Sequence, residues 1–338
     1  MTNPQQAKTS RRSRSRNFDR KVVRRAHFVP YPSKLIFTTR TTFATLGSHW
    51  GKSQVIAIIL SAGQGRRLMP HTKSLPKCLL PVDGDRPALE VQLRALVSGG
   101  VTEARVMVGF QAAKVESFLG ANPVPGINVE TVFNPFFDSS DNLVTCWLAR
   151  PEMQGDFLLM NGDTLFEPAV LRRLLSAPMA PITLVVNGKD EYDDDDMKVS
   201  MSAEGRLRAV SKTLSPDVVN GESIGLMRFT GEGVKTFRVA LDKAVRTQRG
   251  LKAYYLSVID QLTGEIPIET ASMTGLWWGE MDSPEDLDSV RADLAEASFE
   301  DSDRVFSLAT PTSPSKNQAP GAASGSTERN ERPVGNLN

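Results

Sequence analysis

The 338-residue chain predicts an α/β fold: a doubly wound mixed sheet between two disordered tails. Three observations predict it. Val55–Leu60 is a short, continuous, β-branched apolar run, which suits a strand covered on both faces as in a parallel sheet. From Arg86 to Phe133 helical and strand periods alternate, as they do where helices wind about a sheet. Two further apolar runs stop at an Asp, and ligands of open α/β sheets bind beyond the carboxyl ends of strands.

Residues 1–53 are set apart by charge. They hold 12 Lys and Arg against one acid, Asp19, a balance of +11, while the remainder carries 28 basic and 38 acidic residues, a balance of −10. With SRRSRSRNFDRKVVRRAH and few apolar residues, the segment predicts a disordered extension of unassigned role. A transit peptide, a nucleic-acid-binding arm and an over-extended start all fit it. The central domain is expected from 54 to 300, and the Ser/Pro/Gly/Asn-rich stretch 301–338 is expected to be a second disordered tail.

After the first strand, Gly63 and Gly65 let the backbone turn sharply and bring its N–H groups close to a polyphosphate. Ser61–Leu68 is therefore a candidate phosphate loop, with Ser61, Ala62, Gly63 and Gly65 as nucleotide contacts. Leu68 stands where a dinucleotide fingerprint needs its third glycine, which argues against that reading. Arg67 supplies a permanently charged fork and Lys77, in Ser74-Leu75-Pro76-Lys77, a point charge; two cations suit a triphosphate that loses pyrophosphate.

Arg86–Ser98 has Leu89, Leu93, Leu96 and Val97 at helical spacing and stops at Gly99-Gly100. Ala104–Val108 and Ile127–Phe133 read as strands around a helix at Ala112–Leu119. In FNPFFDSSDNLVTCWLARP, Asn134, Asn142 and Ser139-Ser140 can hydrogen-bond a base or a small acceptor, or serve only as turn and cap residues for a helix at Leu143–Ala149. Phe157–Met160 is a strand running into Asn161-Gly162-Asp163, which makes Asp163 the best metal candidate. A helix at Pro168–Leu175 and a strand at Pro181–Val186 follow.

Next comes the run Asp193–Asp196, either a solvated loop or the DxD element of a metal-dependent glycosyltransferase. A hairpin is expected at Glu204-Gly205. Lys198 and Lys212 are candidate phosphate contacts, and Glu222, in Gly221–Gly225, either binds an acceptor hydroxyl or ammonium or caps a turn. Helices are expected at Gly233–Arg246 and Ala253–Leu262. A last strand ends at Glu280-Met281-Asp282, where Ser283 caps a helix with Pro284 at its first position and Glu285 and Asp286 at its positive end.

LSAGQGRRLMPHTKSLPKCLLPVDG resembles the signature LAAGxGxRLxPxTxxxPKxLxPVxG of the nucleotidyltransferases that activate sugar phosphates and phosphocholine. The likeness runs from about Gln54 to about Ala295, and the Asn-rich stretch resembles the phosphocholine-type cytidylyltransferases more than the sugar-1-phosphate enzymes. The resemblance implies a Rossmann-like sheet of the nucleotide-diphospho-sugar transferase type, and a Mg²⁺-dependent reaction of an NTP, CTP first, with a phosphorylated small molecule. It implies Asp163 and Asp282 as metal ligands, Arg67 and Lys77 at the leaving pyrophosphate, and Lys212 at the acceptor phosphate, although Thr213 replaces the Pro of the family's EKP-like motif. Met281 and Ser283 depart mildly from its W-x-E-I-D-T-P-E-D-L segment. A sugar 1-phosphate is the alternative acceptor, and a non-catalytic nucleotide-binding relative the further one. Tyr192, Trp147, Trp277 and Trp278, with nearby acids, can cage an amine, or they can simply pack.

Cys78 and Cys146 are too few for a disulfide framework, which fits a reducing cytoplasm. No run approaches the ~20 apolar residues of a membrane helix, and the start lacks an apolar leader core. The expectation is a soluble, cytoplasmic protein with no membrane partner and, for the central domain, no nucleic acid.

Overall fold

β1 (Ile56–Ser61) is the strand against which the others are laid, because Ala57, Ile58 and Ile59 are fully buried and both faces must be covered. The computed structural model describes residues 55–296, so the extension 1–53 and the tail 301–338 lie outside the described residues. β4 (Glu103–Val108) and β6 (Phe157–Asn161) flank β1 in parallel, and β5 (Asn128–Phe133) extends that edge in parallel with β4. On the other side β11 (Gly221–Phe229) runs antiparallel to β6. β11 then pairs with β8 (Ile182–Asn187) and β9 (Lys198–Met201), which carry β12 (Ile268–Ser272) and β10 (Leu207–Val210). The result is a nine-stranded mixed sheet.

Strand periodicity builds a core on each face. Ala57 and Ile59 point to the side covered by α1 (Ala88–Ser98), α2 (Ala112–Ala121) and α4 (Pro168–Ser176). Ile58 points to the side covered by α3 (Asn142–Leu148), α5 (Glu232–Val245) and α6 (Leu256–Leu262). There Phe157, Phe229 and Phe237 stack in sequence with ring centroids 4.5 Å apart, worth ~0.5–1.5 kcal/mol per pair beyond burial. The doubly wound mixed sheet expected from the sequence is the one observed.

Of two short ribbons, β2 (Pro81–Asp83) with β3 (Arg86–Pro87) and β7 (Thr164–Phe166) with β13 (Trp278–Glu280), the sequence predicts only the strand β13. The second matters for the site. Asp282 does not end a strand of the main sheet; it follows β13, which pairs only with β7. A third, small core of Leu68, Leu80, Leu165, Met281, Leu287 and Val290 joins this ribbon to the glycine loop and to α7 (Pro284–Glu296). α7 starts as expected: Asp286 N donates to Ser283 Oγ at 3.1 Å and Ser283 N to Asp286 Oδ2 at 2.8 Å, a reciprocal cap of a type worth ~0.5–2 kcal/mol.

Two expectations need correction. The helix read from Ala253 begins at Leu256, because the preceding residues serve α3 instead: Ala253 O accepts from Leu143 N at 3.1 Å, and Tyr255 N donates to Asn142 Oδ1 at 3.0 Å. For the same reason the Ser/Asp cluster before α3 does not cap it by side chains.

Candidate active site

The glycine loop turns at Gly65, whose φ of +59° lies in the left-handed region, and a Cβ there would press on Thr72 and Lys77 at 3.1 and 3.2 Å. Thr72 Oγ1 closes the loop by donating to Gly65 O at 2.7 Å. A 3-10 turn over Arg66–Leu68 buries Leu68 and leaves Arg67 exposed; a second over Lys77–Leu79 buries Cys78 and leaves Lys77 half-buried.

Asp163 is presented by the reversal between β6 and β7. Gly162 makes that reversal possible, since a Cβ would fall 2.3 Å from Ser61 Oγ and 2.7 Å from Leu60 O. Trp278–Glu280 pairs with Thr164–Phe166, so the strand after Asp163 and the strand before Asp282 are one ladder. Lys77 Nζ donates to both carboxylates, at 2.7 Å to Asp163 Oδ2 and 2.6 Å to Asp282 Oδ1. Arg67 Nη2 reaches Asp282 Oδ2 at 2.7 Å. Four residues from three distant stretches thus meet in one charged cluster. Asp163 Oδ1 is buried with no hydrogen-bond partner.

The cluster reinforces the charged forms of Lys77 and Asp282 and disfavours that of Glu280. Burial alone would drag the Lys77 ammonium down, but Asp163 and Asp282 outweigh it and hold it above the ordinary lysine value. For Asp282, burial pushes up while Lys77 and Arg67 pull harder the other way and keep it below the usual carboxylate range. Half-buried Glu280 sits behind them; burial first, then the charges of Asp163 and Asp282, push it well above that range.

Two connected cavities open here. One, of about 310 Å³, is lined by Ser61, Arg67, Lys77, Cys78, Asp163 and Asp282. The other, of about 380 Å³, is lined by Ala62, Phe137, Asp138, Asn142, Thr145 and Tyr254, and it shares Leu60, Gly63, Gly65, Arg66 and Asp163 with the first. Gln64 Nε2 and Arg66 Nη2 tie the loop to Asp138 Oδ1 at 2.5 and 3.0 Å.

Of the residues singled out in the sequence, Ser61, Ala62, Gly63, Gly65, Arg67, Lys77, Asp163, Asp282 and Asn142 line these cavities. Asn134 does not. It is fully buried, its Nδ2 donating to Thr145 Oγ1 at 2.9 Å and its Oδ1 accepting from Phe136 N at 2.8 Å, so it shapes the wall and offers no atom to a nucleotide. Lys212 joins the cluster through Asp195, which bridges Arg67 Nη1 at 3.1 Å and Lys212 Nζ at 3.2 Å.

Lys198 is buried and spends its ammonium on Asp193 O and Lys212 O, holding the acidic loop rather than facing a cavity. Glu222 is also buried, bound by Asn187 Nδ2 at 2.9 Å and Lys189 Nζ at 2.9 Å, and burial raises its carboxyl despite both partners. Neither touches the cavities. The Asp193–Asp196 run is not simply a solvated loop: Asp195 pairs with two cations, and Asp196 pairs with Lys189 at 2.7 Å.

The tryptophan cage does not form, because each indole is engaged elsewhere: Trp147 Nε1 donates to Asp242 at 3.2 Å and Trp277 Nε1 to Asp293 at 3.0 Å, while Trp278 packs against the core. Phe137 and Tyr254 are the aromatic residues on the cavity walls. Sequence reasoning missed Asp138 and Tyr254, and read Asp195 only as part of the Asp193–Asp196 run. The acidic signal at 138 and 195 was visible, but only folding places those acids beside Arg66 and Arg67.

A glycine loop, two cations and two carboxylates thus gather at the carboxyl end of the sheet, where open α/β sheets bind their ligands. Residues 56–180 match the family model of the nucleotidyl transferases. The CMP-5'-(3-aminopropyl)phosphonate synthase of Streptomyces rubellomurinus is 32% identical over 241 residues, 69% of this chain and 37% of that protein. The choline-phosphate cytidylyltransferase of Streptococcus pneumoniae is 24% identical over 238 residues, 68% of this chain and 94% of that one. The solved structure of the CTP:phosphocholine cytidylyltransferase of Streptococcus pneumoniae shares the fold, with a TM-score of 0.59 at 18% identity over 72% of this chain and 100% of that one. The chain spans 26–52% of the length of the three curated relatives it matches first. Among the described residues no helix is long and apolar enough to cross a membrane.

Proposed function

We propose that this cleft transfers a nucleotidyl group, CMP from CTP by preference, to an amino-alkyl phosphate or phosphonate such as phosphocholine, releasing pyrophosphate. The observation that carries the reading is the meeting of Arg67, Lys77, Asp163 and Asp282 beside the glycine loop. An acceptor oxygen would form its bond to the α-phosphorus as the bond to the bridging oxygen breaks, and pyrophosphate would leave with that electron pair. The attacking oxygen is already anionic, so no general base is required, and alignment and charge neutralisation remain as the protein's task.

Arg67 and Lys77 would hold the departing phosphates. The exposed backbone at Gly63, where a Cβ would meet nothing within 4 Å, leaves room for a phosphate to approach. The cavity bounded by Phe137, Asn142 and Tyr254 would take the nucleoside. Lys212 and Asp195, 3.2 Å apart, offer a cation for the acceptor's phosphate next to an anion for its ammonium group. The names of the two cytidylyl-transferring relatives support CTP and an amine-bearing acceptor for this chain.

Mg²⁺ fits the residues present. Asp163 and Asp282 are hard oxygen donors already gathered on one cation, Lys77, and Asp163 Oδ1 has no partner of its own. An ion held by these two carboxylates would complete its shell with substrate oxygens. When bound it supplies neutralisation of phosphate charge.

A pyrophosphate-release screen of four NTPs against phosphocholine, phosphoethanolamine, 3-aminopropylphosphonate and glucose 1-phosphate tests the reading. CTP with an amine-bearing acceptor should be fastest. Turnover of glucose 1-phosphate with UTP or dTTP, and none with the amines, would overturn the acceptor and base assignment.

A further inference from the structure

Gln92 stands outside the charged cluster yet holds the segment that presents part of it. It lies on α1 between Val91 and Leu93 and is 1% exposed. Its Nε2 donates to Asn161 O at 3.0 Å and to Thr164 O at 2.8 Å. Asn161 ends β6, Thr164 begins β7, and only Gly162 and Asp163 lie between them. A single amide therefore clamps both sides of the reversal that carries the Asp163 carboxylate.

Buried polar groups are costly unless paired, and Gln92 Oε1 is buried with no partner. A residue needed only to fill this position would do better as Met or Leu. The amide is useful for its donors, which bond one carbonyl on each side of the turn. The same reversal is held elsewhere by Gly162 N on Leu60 O at 3.0 Å, Thr164 Oγ1 on Ile224 O at 2.9 Å and Tyr255 OH on Asn161 Oδ1 at 3.0 Å. Gln92 alone grips both ends at once among these contacts.

We propose that Gln92 is a positioning residue for Asp163, setting where its carboxylate sits relative to Lys77 and Asp282. The proposal rests on the reading of the cleft as a nucleotidyl-transfer site and acts through Asp163, with no contact of its own to substrate. Groups that orient a ligating or charge-bearing side chain typically cost ~10–100-fold when lost.

The test compares Gln92→Met, of similar length but without a donor, with Leu93→Val, which trims a buried neighbour on the same helix and leaves the turn untouched. Gln92→Asn, which keeps the amide but shortens its reach by one methylene, is the second variant. In Gln92→Met, kcat for pyrophosphate release should fall ~10–100-fold with KM for both substrates unchanged. Amide hydrogen exchange across 159–166 should rise selectively, most at Gly162. Gln92→Asn should show the same pattern at smaller amplitude, and Leu93→Val neither change.

A wild-type kcat in Gln92→Met, or the same kcat loss in Leu93→Val, would overturn the proposal. If the wild-type chain releases no pyrophosphate with any NTP, the functional reading is what fails, and exchange across 159–166 then decides alone. A selective rise in Gln92→Met keeps Gln92 as the clamp of this turn; no rise, or a uniform one, removes it.

Discussion

Removing the Lys77 ammonium should weaken both the fold and the chemistry. Its Nζ lies 2.7 and 2.6 Å from Asp163 and Asp282, and the three side chains are 14%, 23% and 30% exposed. Deleting one partner of a fully buried pair costs ~3–5 kcal/mol because the other charge is left uncompensated. Here the carboxylates keep about a quarter of their surface in water and Arg67 stays on Asp282, so about 2 kcal/mol is the appropriate figure. For a domain of this size that is a fall in Tm of about 4–8 °C. Turnover should fall further, by ~10²–10³-fold, the usual loss for a group aimed at developing charge. Thermal denaturation and pyrophosphate release of Lys77→Met check both numbers. A variant as stable and as active as wild type would refute the account of Lys77 as the shared cation of two carboxylates.

Other expectations follow from single features. Arg228 is buried, with Nη1 and Nη2 donating to the carbonyls of Leu174, Leu175, Ala177 and Pro178 at the end of α4. Arg228→Met should cost about 3 kcal/mol, or ~6–12 °C in Tm, and leave KM unchanged; no shift in Tm would contradict it. Burial pushes the Cys78 thiol up to about 12, so at pH 8 its thiolate fraction is ~10⁻⁴ and alkylation should run on the order of 10³ times slower than for a free cysteine. Labelling of the folded protein at the free-thiol rate would show the residue is accessible. Asp195→Asn should raise KM for amine-bearing acceptors up to ~5-fold, the value of an exposed ion pair, and an unchanged KM would release Asp195 from acceptor binding.

Much of the fold was legible because local physics and tertiary packing agree in it. The β-branched run at Val55–Leu60 had to be covered on both faces, and the helix at 88–98 shows its apolar stripe and its glycine stop in plain sequence. The strand Thr164–Phe166 and its pairing with the expected last strand, Trp278–Glu280, were not legible, since a three-residue strand carries no usable period. Asp163 and Asp282 were therefore found as residues ending apolar runs, while the ladder that sets them side by side was not. Asn134 looked like a ligand contact because Asn in a turn and Asn in a binding wall are the same in sequence. Only the buried pairing with Thr145 and Phe136 separates them. Gln92 left no signal at all, as a polar residue in a helix normally marks its solvent face.

Asp163 and Asp282 should act as one unit on a single event at the phosphates. The most direct measurement is pyrophosphate release by Asp163→Ala, Asp282→Ala and the double variant, each checked for folding by circular dichroism. Each single change should cut turnover by at least ~10²–10³-fold, and the double should be little worse than either, because groups that act together lose their effect together. Losses that multiply, or an Asp282→Ala variant that turns over like wild type, would contradict the account.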